Sequence, residues 1–318
     1  MSALPPLLAG LDAGALARLG IDESRFNAAN GDYLFRQGEP TSGVYIIEHG
    51  RVALIGRTPG DGEVMIGELG AGESVGELSL LDQGVRSASA RAICDCSGWR
   101  LTLERFHPLA QSGDAAAHLL LDRMRIEVAE RTRTTLFDIA ALLDHGAGVA
   151  RQLGDLPPPP ASDAGNMAAL LHSFPGFDSF DSEDWAALGT MARRVAAPRG
   201  TLLARGGDAP ESLYAVARGA VRATLPSAHG NEQIFLYGPG SFAGIAPMLD
   251  GVERLLHLDM REEGVVFLID GHALQALRRG ESSFARMVMR QAGLQMVRDL
   301  RRLSRILGRL QRAAGSMR

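Results

Sequence analysis

The chain has 318 residues, 46% of them apolar, and a formal net charge of −4. That length and apolar content suit two globular domains, and the mild negative balance supplies no global field for nucleic acid. All 33 basic side chains are arginine, a bias that fits a GC-rich bacterial genome. No apolar run nears the ~20 residues of a membrane span and nothing at the N-terminus reads as a secretory leader, so a cytoplasmic protein is expected.

Short β-branched and aromatic runs open the first half: Gly31 to Glu39, Val44 to Ile55 and Val64 to Leu69, parted by glycine-centred turns. That pattern predicts a small barrel or jelly roll. Residues 76–91 follow as Gly-Glu-Leu-Ser-Leu-Leu-Asp-Gln-Gly-Val-Arg-Ser-Ala-Ser-Ala-Arg. Here Glu77 and Arg86 flank one apolar helical turn, Leu78 to Leu81. Arg86 offers a fixed fork of N–H donors that suits a phosphate, and Glu77 accepts a hydrogen bond from a sugar hydroxyl. The plainer alternative is a surface loop on which both charges are simply solvated.

This run resembles the phosphate-binding cassette of the cyclic-nucleotide-binding domain family, with its Gly-Glu, short apolar turn, and Arg followed by small residues. The order of Gly31-Asp32, Gly38-Glu39, Gly50 and Gly70 before the cassette extends the resemblance over about residues 5 to 145. It implies that Glu77 holds a ribose 2′-hydroxyl, Arg86 the cyclic phosphate, and Ser87 lies beside phosphate and base. Gly76, Leu78, Ser79 and Ala88 complete the implied ligand-binding set. The implied ligand is cyclic AMP (cAMP), placed slightly ahead of cyclic GMP (cGMP). Ser87 supplies a hydroxyl able to assist the guanine 2-amino group, and equally able to bond the phosphate.

Cys94 and Cys96, the only cysteines, are spaced to share one face of the last barrel strand and read as buried thiols. They are too few for a metal cluster, and His49, His107, His118 and His145 lack paired ligand spacing, so no metal, cofactor or catalytic site is expected. Gly113 to His145 lacks proline and repeats apolar residues at Leu120, Met124, Val128, Leu136, Ile139 and Leu143, predicting a long amphipathic helix. In the resembled family this helix dimerises and closes over the base. Thr132, Thr134 and Thr135 interrupt its stripe; Thr134 and Thr135 are possible base contacts, and backbone-bonded threonines are the competing reading.

Leu156 to Gly165, with four consecutive prolines, breaks any helix and reads as a semi-rigid linker. The expected organisation is therefore a first domain over 1–153, a linker over 154–166 and a second domain over 167–318. A helical stretch from Asp181 to Val195 leads into Arg199 to Asp208, which mirrors Gly31 to Glu39, and Leu213 to Arg222 mirrors Val44 to Ala53. The chain contains an internal repeat. The fold class is accordingly α+β: two cyclic-nucleotide-binding jelly-roll barrels with flanking helices and a long helix after each.

Aligning Gly244 with Gly76 places Ile245 at the position of Glu77 and Arg254 at that of Arg86. Leu255-Leu256-His257-Leu258 replaces the small residues after the arginine, and Glu253 stands where it could compete with a phosphate. An isoleucine leaves a buried sugar hydroxyl unsatisfied, at about 1–3 kcal/mol. The second site, keeping only Arg254, is thus predicted to be degenerate and to bind cyclic mononucleotide weakly or not at all.

From Met296 the C-terminal segment, Glu281 to Arg318, steps apolar residues by threes and fours as a heptad seam does. From Arg278 onward eleven arginines face only Glu281 and Asp299, which suits an acidic partner, a membrane surface, nucleic acid, or the solvated flank of a dimer helix. Arg301-Arg302-Leu303-Ser304 matches a basophilic kinase motif by chance. The expected function is a cyclic-nucleotide sensor in which the helix after the first barrel transmits the ligand state to a protein effector, in a homodimer joined through the long helices. The alternatives are a Crp/Fnr-like transcription regulator, made unlikely by a second barrel where a DNA-binding domain would stand, and an adaptor responsive to cyclic di-GMP.

Overall fold

A computed structural model of the chain describes residues 4–21, 23–57, 62–144, 183, 190–227, 230–280 and 282–315. It forms two compact units, Met1–Glu127 and Val128–Arg318. The linker expected at 154–166 lies outside the described residues.

In the first unit, eight strands run β1 (Arg25–Ala28), β2 (Tyr33–Phe35), β3 (Gly43–His49), β4 (Val52–Arg57), β5 (Glu63–Leu69), β6 (Ser74–Val75), β7 (Ser89–Ala92) and β8 (Cys96–Thr102). They pair antiparallel as β1-β8-β3-β6 and β2-β7-β4-β5. Each early strand pairs with a late one, the nested order of a jelly roll. Phe35, Ile47, Val52, Leu69, Val75, Ala90 and Cys96 bring both sheets into one buried cluster. A second cluster joins Val44, Ile46, Trp99 and Leu101 of the β1-β8-β3-β6 sheet to the helices α1 (Ala13–Leu19), α3 (Leu103–Ser112) and α4 (Ala115–Asp144), through Leu16, Leu19, Phe106, Leu120 and Met124.

Helix α4 matches the predicted span to within two residues. Its start is fixed by Asp114, whose carboxylate accepts from the backbone N–H groups of Ala116 and Ala117 at 2.9 and 3.0 Å. The described structure corrects two local expectations. Cys94 lies in the turn before β8 rather than in the strand, where its sulfur accepts the Arg51 N–H at 3.1 Å; Cys96 is buried at the strand's start. The predicted helix to Val195 ends earlier, because Ala192–Ala197 forms strand β9, paired with the last strand of the second sheet. Every residue from Ala192 to Ala197 is registered against Ile269 to Gly264, and that continuous pairing holds the segment extended.

The second unit repeats the barrel with longer strands. β9 is followed by β10 (Leu202–Ala204), β11 (Ser212–Ser227), β12 (Gly230–Tyr237), β13 (Phe242–Ala243) and β14 (His257–Asp270), in the order β10-β14-β11-β12 with β9 on β14 and β13 on β11. β11 and β14 pair along most of their length, with register shifts around Arg218 and Ala220. Three short helices and one long one complete the elements: α2 (Glu77–Asp82) in the first unit, and α5 (Ile245–Asp250), α6 (Gly271–Arg279) and α7 (Ser283–Gly315) in the second.

The core of this unit combines Val216, Val221, Leu225, Phe235, Leu258 and Val266 of the barrel with Leu303 and Leu307 of α7 and with Leu136 and Ile139 of α4. The apolar seam of the C-terminal helix is therefore covered by its own barrel. Arginine stems flank it, and Arg302 lies 5.8 Å over the Phe235 ring. Leu303→Ala is expected to cost about 2–5 kcal/mol without changing the oligomeric state, as calorimetry and light scattering of the variant beside the wild type would check.

Asp299 is the one carboxylate of that helix's buried face. It accepts from the Tyr237 hydroxyl at 2.9 Å and from the Gln295 amide at 2.8 Å, while Arg298 and Arg302 also favour its charged form. Burial outweighs all of these and raises its pKa to about 7. An aspartate in the unfolded chain titrates near 4, so through the intervening window the folded state alone keeps the proton. Folding stability therefore falls as pH rises from about 4 to about 7. Asp299→Asn is expected to melt above the wild type at pH 8, with the gain shrinking as pH falls and vanishing near pH 4; thermal melts across that range provide the check.

Candidate functional site

In the first unit the cassette is built by β6, the short helix α2 and the loop into β7. Gly76 joins strand to helix at φ 92°, in the left-handed region where glycine is favoured, and a Cβ there would overlap Nη1 of Arg86. The glycine is thus required twice, by the backbone and by the arginine beneath it.

Arg86 is 2% exposed and Glu77 1% exposed, so two opposite charges are buried on one short turn. The Arg86 backbone is clamped to the turn between β2 and β3: its N–H donates to the Glu39 carbonyl at 3.0 Å and its carbonyl accepts from Gly38 at 2.9 Å. Its guanidinium donates from Nη2 to the Gly43 carbonyl at 2.6 Å and from Nη1 to the Gly76 carbonyl at 3.2 Å, and lies 3.9 Å over the Phe35 ring. Its Nε has no hydrogen-bond partner. Burial lowers its pKa, against the pull of Tyr45 and Glu77, but an arginine stays charged regardless. Ser79 and Ala88 are buried beside it, and Leu78 and Ser87 are half-buried at the rim. Chemically the arrangement offers a desolvated cation and a buried acceptor, both facing a turn with no side chain at its first position.

Sequence reasoning brought Glu77 and Arg86 together but missed Phe35, whose ring supports the guanidinium, and Gly43, whose carbonyl receives it. Phe35 was legible as an alternate-residue strand position four residues before Glu39; Gly43, acting through its backbone, left no side-chain signal.

The second cassette copies the backbone bonds of this scaffold, although Arg254 Nη1 has no hydrogen-bond partner where Arg86 Nη1 bonds the Gly76 carbonyl. The Arg254 N–H donates to Asp208 at 3.0 Å and its carbonyl accepts from Gly207 at 2.7 Å; the Tyr214 hydroxyl reaches the Leu203 carbonyl at 2.6 Å, as Tyr45 reaches Leu34 at 3.2 Å. Gly244 has φ 86° and would crowd Arg254 Nη1 if it carried a Cβ. Arg254 is 3% exposed, and its Nη2 donates to the Ser212 carbonyl. Burial lowers its pKa too, offset by Tyr214 and Asp208, with Ile245 standing where the first cassette has its carboxylate. Glu253 does not compete for this arginine as the sequence suggested: its side chain is exposed, and its backbone carbonyl accepts from Arg133 at 2.8 Å.

Arg133 belongs to the part of α4 that lies in the second unit. It forms a two-pronged ion pair with Asp250 at 2.8 and 2.9 Å, at the end of α5, and bonds the Val252 carbonyl at 3.2 Å. Asp250 also accepts the Val252 N–H at 3.0 Å, as Asp82 accepts Gly84 in the first cassette. Under this clasp lies a cavity of about 60 Å³, bordered by Thr132, Leu136, Ile245, Arg254, Leu256 and Asp299 among others. The threonine hydroxyls of α4 donate to carbonyls one turn back: Thr132 to Val128 at 2.7 Å, Thr134 to Glu130 at 3.1 Å and Thr135 to Arg131 at 2.8 Å. No described cluster of three or more His, Cys, Asp or Glu side chains is placed to hold a metal ion, and no described helix is long and apolar enough to cross a membrane.

Comparison with known proteins fits this double scaffold. An uncharacterized NTE family protein of Mycobacterium tuberculosis is 32% identical over 136 residues, covering 40% of this chain and 23% of that protein. The CRP-like protein Clp of Xanthomonas campestris is 28% identical over 150 residues, covering 46% of this chain and 65% of Clp. The chain thus spans less than a quarter of the NTE protein's length. Among solved structures, the N-terminal domain of a transcriptional regulator from Streptomyces coelicolor is 34% identical over 41% of this chain and 88% of that domain, with a TM-score of 0.33. The sequence pattern of the cyclic nucleotide-binding domain matches residues 25–113 and again 194–281. Those two matches cover more than half of the chain, which therefore belongs to the cyclic nucleotide-binding domain family and carries the domain twice.

Proposed function

We propose that the first unit is a sensor for a cyclic mononucleotide, with Arg86 holding the cyclic phosphate, Glu77 the ribose 2′-hydroxyl, and Gly76, Leu78, Ser79, Ser87 and Ala88 lining the ligand. The observation that carries this is the burial of Glu77 and Arg86 on one turn. Two desolvated opposite charges are costly unless a function retains them, and a carboxylate beside the arginine can accept from a ligand's free hydroxyl. That favours a mononucleotide over a cyclic dinucleotide, with cAMP ahead of cGMP. The domain type, matched twice, is one that binds cyclic nucleotides.

Signal output follows from α4. Its Leu120 and Met124 pack with the first unit and its Leu136 and Ile139 with the second, so one helix belongs to both cores. A nucleotide that favours one arrangement of this helix shifts its population by the difference in affinity alone. The receiver of that shift is a protein effector, and the arginine-rich face of α7 is the surface best suited to an acidic one. Self-association through the long helices remains part of the proposal; the covered α7 seam leaves exposed Phe137 on α4 as the stronger contact. The CRP-like relative suggests transcription regulation as the second reading. A gel shift with genomic fragments distinguishes them: the sensor reading expects no salt-dependent, cAMP-stimulated complex.

Calorimetric titration of the whole protein tests the site. cAMP is expected to bind the wild type, and Arg86→Gln is expected to weaken it at least about a hundredfold, equivalent to ~3 kcal/mol, because the phosphate would enter a buried site without its counter-charge. Glu77→Gln is expected to cost about 1–3 kcal/mol through the hydroxyl bond. Unchanged affinity in Arg86→Gln would remove the assignment, and tighter binding of cyclic di-GMP than of either mononucleotide would replace the ligand.

A further inference from the structure

We propose that the cavity of the second unit is a binding site for a small carboxylate on an apolar body, held by Arg254 and covered by the Arg133–Asp250 clasp. The starting point is the state of Arg254. It borders the cavity and is 3% exposed, its Nη2 is satisfied by Ser212, and its Nη1, placed against Gly244, has no hydrogen-bond partner. A buried cationic donor left without a partner is costly, and an anion in the cavity supplies the missing acceptor.

The rest of the wall says which anion. Ile245 occupies the place of the first unit's carboxylate, and Leu255 and Leu256 occupy the places of Ser87 and Ala88. A ribose would set its hydroxyls against these aliphatic side chains with no acceptor for them. Phe235 and Met296 extend the apolar lining. The two carboxylates at the cavity do not compete for Arg254. Asp250 is engaged by both prongs of Arg133, and Asp299 is held by Tyr237 and Gln295. A single planar carboxylate with a hydrocarbon remainder fits a wall with one free N–H donor and otherwise aliphatic and aromatic surface. Arg133 and Thr132 stand on α4, so a ligand here would also bear on the helix that enters the first unit's core.

The proposal does not depend on what the first unit binds, and the experiment keeps the two apart. Sodium decanoate at submicellar concentration is titrated calorimetrically into the whole protein, alongside cAMP. Decanoate is expected to bind the wild type and Arg86→Gln equally, and to bind Arg254→Gln at least tenfold more weakly. Ile245→Glu, which rebuilds the buried acid of the first cassette beside an intact arginine, is expected to lose decanoate to the same extent; it decides the matter if Arg254→Gln does not fold. No binding to the wild type, or binding unchanged in a folded Arg254→Gln or in Ile245→Glu, overturns the proposal. So does cAMP binding that persists in Arg86→Gln and disappears when Arg254→Gln is added, since the cavity would then be a nucleotide site.

Discussion

Each unit is organised around a buried arginine whose backbone is stitched to the turn between two strands and whose guanidinium fills the space left by a glycine. In both copies the arginine's N–H and carbonyl bridge two consecutive residues, Gly38-Glu39 or Gly207-Asp208, while its head lies under Gly76 or Gly244. The strand pairing, the left-handed glycine and the short helix after it all follow from accommodating that side chain away from water. Because a guanidinium cannot shed its charge, the unit must surround it with acceptors. Carbonyl groups of Gly43 and Gly76 do so in the first unit, with Glu77 adding opposite charge.

The two copies show what can change while that constraint persists. Substituting Ile245 for a carboxylate and leucines for Ser and Ala leaves the scaffold's hydrogen bonds in place. What it alters is the lining around the arginine, from an acid and small residues to aliphatic side chains. The arginine retained after the loss of its acidic neighbour still holds Ser212 and Asp208 in place.

Much of this was legible in the sequence, for physical reasons. The glycines with positive φ, the acid and arginine bracketing one turn, and the strand periodicity each reflect local geometry, so the jelly roll, the first cassette and the repeat could be read directly. The apolar stripe of α4 was equally clear, but a stripe states that a face is buried and not what buries it. That Leu120 and Leu136 lie in different cores needed the fold. The heptad pattern of α7 failed in the same way, suggesting a partner helix where its own barrel serves. Asp299 was counted only as one charge among arginines, although an acid one residue from Leu300 and three from Met296 already lay in the buried stripe. Cys94 and Val195 were misplaced by a few residues, where turn and strand edges compete over short spans.

The division of α4 bears on how the protein can be taken apart. A cut within the proline-rich stretch around 156–165 looks natural from the sequence, yet it assigns Val128 to Asp144 to the fragment that does not contain their packing partners. The C-terminal piece would then present Phe235, Leu258 and Leu303 without Leu136 and Ile139 against them, its cavity roofless and Asp250 without its arginine. Ligand affinities and solubility measured on such a piece would describe an exposed half-core. A fragment that begins near Ala115 keeps the covering helix with the barrel it covers.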